Sequence, residues 1–231
     1  MNPQLVKLLK VIIAIAVLAI GSFKTIDIQA RQYDDVPHIT EVVRSDAGLA
    51  LQELPVKGRA PKTGYTRSQF SAGWDAYQDC DVRNYILARD MTNDTFVLPT
   101  CKLASGTLQD PYTAKTIEFK RGPGTSSVVQ IDHVVALSDA WQKGAQLLTY
   151  ASRHALANDP LNLLAVDGKA NQDKGDADAA SWLPPNKQFR CEYVARQIAV
   201  KKKYQLWVTA SEHDAIANVL SACPEQQLPG S

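Results

Sequence analysis

With 231 residues, 45% of them hydrophobic, the chain can bury one good-sized core, and one domain is expected once any leader is set aside. Lysine and arginine number 25 and aspartate and glutamate 24, for a formal net charge of +1. That balance excludes a histone-like protein held to nucleic acid by bulk charge, but it permits a local basic surface.

Residues 1–30 read as an export leader. Lys7 and Lys10 precede an apolar run over 11–20, too short for a comfortable transmembrane helix and suited to a signal peptide, with Ile28-Gln-Ala30 as an imperfect cleavage site. An uncleaved N-terminal anchor is the alternative. The body is therefore expected to be secreted, or extracytoplasmic and anchored. Residues 31–63, polar and carrying Pro37, Pro55 and Pro61, read as a linker or loosely held arm with a short helix over 47–54. The folded domain is expected over 64–224, opening where Tyr65, Phe70, Trp74 and Tyr77 gather, with a disordered tail over 225–231.

A helix is expected over 80–91 with Asp81 as its N-cap, because a side-chain oxygen there can accept a free backbone N–H. Short strands follow over 96–119. Asp110-Pro-Tyr-Thr113 reads as the turn of a β-hairpin between 107–108 and 116–119. The four cysteines, Cys80, Cys101, Cys191 and Cys223, read as two disulfides in an exported chain. Three pairings are possible, and proximity along the chain favours Cys80–Cys101 with Cys191–Cys223. A zinc site is disfavoured, since no spacing matches the short Cys-x₂₋₄-Cys of structural zinc.

The stretch 128–178 carries the chemistry. A β-branched run holding Asp132 and His133 reads as a strand, a helical insert follows, and residues 162–166 read as a second strand. Asp167-Gly168 is a turn signal, and 169–182 fits a helix with Asn171 in its first turn. Asp132 and Asn171 offer hard oxygen donors suited to Mg²⁺ or Mn²⁺. Strand neighbours point to opposite faces, so Asp132 and His133 converge only if the strand ends or twists there. Asn162 is placed to orient His133 by a hydrogen bond. An Asn171 near the helix start would bring free N–H groups towards an anion. Lys174, three residues on from Asn171, shares its helix face and could touch a phosphate. Asp173, Asp176 and Asp178 are expected to be solvated or helix-end carboxylates. Ser138 near His133 raises a serine hydrolase, but the chain has no Gly-x-Ser-x-Gly elbow.

Pro184 and Pro185 should end the preceding helix, and another is expected over 187–204. Thr209-Ala-Ser-Glu212 is a capping box before a last helix over 213–222. Between Leu183 and Trp207 lie Lys187, Arg190, Arg196, Lys201, Lys202 and Lys203 against the single acid Glu192. This is either a solvated helix surface or a surface that tracks a phosphate backbone. His38, His154 and His213 are read as structural.

Asp132-His133, Asn162 and Asn171-Gln-Asp-Lys174 together resemble the HNH (ββα-metal, His-Me finger) nucleases in the variant whose last metal ligand is Asn. Through IDHVVALSDAWQKGA, NDPLNLLAVDG, NQDKGD and WLPPNK the likeness is closer to secreted bacterial proteins of the GmrSD C-terminal-domain type, over roughly residues 65–224. The resemblance implies an α+β fold, with a ββα-metal core, a helical insert, flanking helices and a β-hairpin, stapled by disulfides. It implies a secreted endonuclease that hydrolyses DNA, with RNA as a second substrate class, with little sequence preference; no obligate protein partner is visible in the sequence. A membrane would be met only through an uncleaved N-terminal segment. By residue, His133 is the general base and Asn162 its orienting partner. Asp132 and Asn171 hold one divalent ion, Mg²⁺ or Mn²⁺ before Zn²⁺ or Ni²⁺. Lys174, Arg83 and Lys201 are the candidate phosphate contacts. The rivals are a non-catalytic envelope protein that binds nucleic acid, and a defence or toxin nuclease.

Overall fold

The computed structural model describes residues 46–77 and 79–229; the expected leader and His38 lie outside them. Helix α1 (Asp46–Glu53) is followed by a 3₁₀ turn (Arg67–Gln69) and a short antiparallel pair, β1 (Ala76–Tyr77) and β2 (Cys80–Asp81). Helix α2 (Val82–Asp90) leads into a three-stranded antiparallel sheet of β3 (Met91–Phe96), β4 (Leu103–Gln109) and β5 (Thr116–Lys120), in the order β3-β4-β5. Next come β6 (Val129–His133), an insert with α3 (Leu137–Gln142) and α4 (Tyr150–Asn158), then β7 (Leu163–Asp167) and α5 (Gly168–Lys174). Helices α6 (Arg190–Lys203) and α7 (Ala210–Leu220) complete the order.

Local chemistry explains most of these boundaries. Asp81 caps α2, its side chain accepting from Asn84 N at 2.8 Å. Strand β5 alternates outward Thr116, Glu118 and Lys120 with buried Ile117 and Phe119, the period of a sheet with one wet face. Its hairpin with β4 closes where Asp110 N donates to Lys115 O at 2.8 Å and Asp110 Oδ2 accepts from Thr113 N at 2.8 Å. The capping box of α7 forms as expected, Thr209 bonding Glu212 N and Glu212 returning to Thr209 N.

Strands β6 and β7 run antiparallel, with Ile131 opposite Ala165 and His133 opposite Leu163. Val129, Ile131, Leu163 and Ala165 face a core shared with α2 and the three-stranded sheet. The alternate residues, Val134, Leu164 and Val166, face a second core built on α1, α6 and α7. The pair is therefore buried on both faces, and only its ends can reach solvent. Helix α5 packs against both strands. Gly168 makes that packing possible: a Cβ there would stand 2.2 Å from Ser127 O, and its N–H donates to Val128 O at 2.8 Å.

Several expectations need correction. The helix expected over 169–182 stops at Lys174, because Gly175 adopts a left-handed φ of +54° that ends it. Asp167 is its N-cap and bonds Ala170 N, so that end is not open to an anion. The arm is not loose over its described part. Ala47, Ala50 and Leu51 are buried in the second core, and Val56 bridges Val208 in parallel register. Nor is the tail loose over its described part, since Gln226 O accepts from Ala47 N at 3.2 Å and Leu228 packs on the same core.

Both expected disulfides form. Cys80–Cys101 ties the start of α2 to the β3–β4 loop, and Cys191–Cys223 ties α6 to the end of α7. Each should add about 2–4 kcal/mol. Reductant is therefore expected to lower the melting temperature, and four thiols should react only after reduction. Non-reducing peptide maps checked against these two linkages are the measurement; free thiols in the exported protein would count against them.

A group of charges lies inside the molecule beside α3, α6 and α7. Lys143, fully buried, reaches Asp139 at 2.8 Å, Asp178 at 2.7 Å and Glu212 at 2.6 Å. Lys201, also fully buried, reaches Glu212 at 2.9 Å and Asp139 at 3.5 Å. Arg59 closes the group from the arm, at 2.9 Å from Asp139 and 2.6 Å from Asp178. The three cations balance the three carboxylates, and buried charge is tolerated only on such terms. Asp178 is thus an internal ion-pair partner and not a solvated carboxylate.

Candidate active site

His133 is the last residue of β6; Val134 N still bonds Asn162 O at 2.8 Å in the strand register, and the chain leaves the ladder where Val135 N turns to the Asn162 side chain at 2.8 Å. This ending lets Asp132 and His133 border one space despite the strand rule. An open pocket of about 250 Å³ is lined by both, together with Asn171, Ser138, Asp176 and Arg67. Its members come from the end of β6, the start of the insert, α5 and the 3₁₀ turn. A smaller pocket of about 150 Å³ also borders His133, lined with it by Arg67, Ser71, Trp74 and Ala157.

The imidazole is buried and held in one orientation. Its Nε2 is 2.9 Å from Ala157 O, and because a carbonyl can only accept, Nε2 carries the hydrogen. The basic nitrogen of the neutral ring is therefore Nδ1. Trp74 stacks on the ring with centroids 5.8 Å apart and planes 9° from parallel. Asp75 N, next to it, donates to Asn158 Oδ1 at 3.1 Å and ties that segment to the end of α4. Burial lowers the His133 pKa to about 3, with Arg67 and Lys174 adding in the same direction against the Ala157 bond. The ring is neutral throughout the physiological range.

Asp132 is also buried. Tyr112 donates to its Oδ2 at 2.5 Å and Lys174 Nζ to its Oδ1 at 2.9 Å. Burial raises its pKa, opposed by the Lys174 ammonium and the Tyr112 hydroxyl. Tyr112 reaches it from the hairpin turn, which Asn186 pins by donating its N–H to Tyr112 O at 2.9 Å and its side-chain amide to Pro111 O at 3.0 Å. Asn171 donates Nδ2 to Gln130 Oε1 at 2.9 Å, leaving the amide oxygen as the donor atom it can offer the pocket.

The roles expected of other residues change. Asn162 does not touch the imidazole; its amide accepts from Val135 N at 2.8 Å and donates to Val135 O at 3.2 Å and Leu156 O at 3.4 Å. It holds the chain just after His133, and Ala157 O holds the ring. Lys174 is buried, with Nζ also 2.8 Å from His133 O, so it braces Asp132 and the strand end and is not presented to a phosphate. Lys201 lies in the internal charge group, Lys202 pairs with Glu53 at 2.6 Å, and Lys203 pairs with Asp159 at 2.6 Å. The lysine run is thereby consumed by protein carboxylates. Arg83 bonds Val129 O at 3.4 Å, at the far end of β6 and about 13 Å of strand from His133. Ser138 Oγ donates to Asp176 at 2.9 Å, not to His133. His154 pairs with Asp75 at 3.2 Å, and His213 lies 3.5 Å from Asp214, neither in the pocket.

Residues 75–219 match the family model described as GmrSD restriction endonucleases, C-terminal domain, well over half of the chain. The chain belongs to this family. A relative from Arthroderma benhamiae named "uncharacterized secreted protein" is 38% identical over 181 residues, covering 78% of this chain and 85% of its own length. That relative is fungal, so the likeness is not confined to the bacterial proteins expected from the sequence. No solved structure matches the chain. Within the matched GmrSD C-terminal region lie Asp132, His133, Asn162, Asn171 and the pocket-lining Asp176 just beyond α5.

A divalent cation fits this donor set in one particular way. Among the described residues no cluster of three or more His, Cys, Asp or Glu could hold a metal by itself. Mg²⁺ does not need one, since it keeps several waters and takes one or two protein oxygens plus a substrate phosphate. Asp132 and Asn171 supply two such oxygens on one pocket. Each carboxylate oxygen of Asp132 keeps a second lone pair beyond its bond to Lys174 or Tyr112.

Proposed function

We propose that the protein is an exported, metal-dependent endonuclease of the HNH type that hydrolyses phosphodiester bonds in DNA, and in RNA as a second substrate class. One observation carries the reading: Asp132, His133 and Asn171 border one solvent-open pocket, with the imidazole fixed through Nε2 and its basic Nδ1 uncommitted to Ala157. Membership in a family described as restriction endonucleases supports nuclease chemistry, and the secreted relative supports export. Among the described residues no helix is long and apolar enough to cross a membrane.

Asp132 and Asn171 would hold the cation. When bound, it would neutralise charge on the scissile phosphate and on the departing oxygen. His133 Nδ1 takes the proton of the attacking water. The Ala157 carbonyl then faces the Nε2–H of an imidazolium and stabilises it. A buried base with so low a pKa gains strength when an anionic phosphate enters beside it, since nearby negative charge favours the protonated ring. Lys174 and Tyr112 keep Asp132 in place, and Asn162 keeps the chain beyond His133 from relaxing.

A non-catalytic nucleic-acid-binding protein is the rival, favoured by the commitment of Asp132 to a buried lysine. Plasmid nicking with Mg²⁺ or Mn²⁺, abolished by EDTA, separates the two; no cutting with either metal would sink the nuclease. Within that assay Asn171→Ala is expected to raise the metal concentration needed for half-maximal cutting, with excess Mn²⁺ recovering part of the loss. Indifference of the variant to metal concentration would remove Asn171 as a ligand.

A further inference from the structure

The two pockets beside His133 share one cation. Arg67 lines both, while the basic residues expected to meet phosphate are buried, paired or distant. Among the described residues no carboxylate forms an ion pair with it, and its side chain is exposed. Its backbone is fixed all the same. The Arg67 carbonyl accepts from Phe70 N at 3.0 Å and Ser71 N at 3.2 Å, and Phe70 is fully buried against Trp141. Two residues on, Gln69 O accepts from Arg153 Nε at 2.8 Å. A rigid stem thus presents an unpaired guanidinium to a pocket that otherwise carries the acids Asp132 and Asp176.

We infer that Arg67 is the phosphate-binding residue of this site, holding the substrate's phosphodiester between the two pockets while His133 acts on the water. The inference rests on the nuclease reading for its kinetic consequence, but phosphate binding by Arg67 stands or falls by itself. A guanidinium matches two phosphate oxygens with parallel N–H donors, and a lysine ammonium does not.

The test uses the exported protein, with Arg67→Ala, Arg67→Lys and, as a surface control, Lys202→Ala. Binding of a short labelled DNA oligonucleotide is titrated with salt in EDTA, and plasmid cleavage is followed separately in Mg²⁺. Arg67→Ala is expected to reduce the salt slope of binding by about one unit. It should lower kcat/KM by about 10²–10³-fold, as loss of a transition-state donor does. Arg67→Lys should keep the salt slope yet recover only part of the rate, and Lys202→Ala should change neither. Unchanged slope and rate in Arg67→Ala, with circular dichroism confirming the fold, would overturn the inference. If the wild type never cuts but the slope still drops, Arg67 keeps its phosphate and the nuclease reading alone falls.

Discussion

Replacing His133 with alanine is expected to slow cleavage about 10²–10⁴-fold, the usual contribution of a general base. Metal binding should persist, because Asp132 and Asn171 remain. Calorimetric titration with Mn²⁺ beside the cleavage assay tests both halves, and a rate within a few-fold of wild type would end the assignment. The same residue sets a pH signature. With a folded pKa of about 3, protonation of His133 cannot impose an acid limb near pH 6.5 on the free enzyme, so activity against pH should show no such inflection in kcat/KM. Stability carries the opposite mark. The unfolded histidine binds a proton below about pH 6.5 and the folded one does not, so its contribution is complete above that value and is lost progressively towards pH 3. The slope is about 1.4 kcal/mol per pH unit in that window, read from urea midpoints of wild type and His133→Ala.

The largest stability effect should come from Lys143→Ala. Removing this ammonium leaves Asp139, Asp178 and Glu212 facing one another with only Arg59 and Lys201 against them. Breaking one partner out of a buried ion group costs about 3–5 kcal/mol, which for a domain of this size lowers Tm by roughly 6–20 °C. Burial alone would raise the Asp178 carboxyl, but its bond to Lys143 and the charges of Lys143 and Arg59 hold it below the ordinary range. A depressed carboxyl contributes stability above its unfolded pKa of about 3.9, lost as pH falls through the lower folded value. Acid unfolding in wild type should include this step, and Lys143→Ala should lack it. Differential scanning calorimetry across pH 3–7 measures both; a loss under 1 kcal/mol would mean that water or rearrangement satisfies the carboxylates.

Local chemistry was well signposted along the chain. The caps at Asp81 and Thr209, the hairpin around Asp110, both disulfides and the strands around Asp132 and Asn162 all follow from near neighbours in sequence. What escaped depends on pairing across long separations. Three consecutive lysines look like a solvated surface until Glu53, Asp159 and Glu212 arrive from elsewhere to meet them. Asn162 carried the right emphasis for the wrong contact, because its amide reaches the chain beyond His133 while a carbonyl from α4 reaches the ring. Trp74 and Arg67 stood in the visible aromatic cluster, yet nothing local tells that the cluster folds over the end of β6.

The wall of the pocket and the internal charge group are consecutive residues of the same segments. Ser138 bonds Asp176 at the pocket, while Asp139 and Asp178, one and two positions further on, meet Lys143 inside. Sequence drift in the two regions is therefore linked. A lineage that replaces Arg59 or Lys143 must lose or neutralise a carboxylate in the same evolutionary interval, or shift the Ser138–Asp176 wall with it. The six charges should consequently be inherited as a block, and chimaeras that take the arm from one relative and residues 137–220 from another should fold only when both parents carry matching charge at these positions.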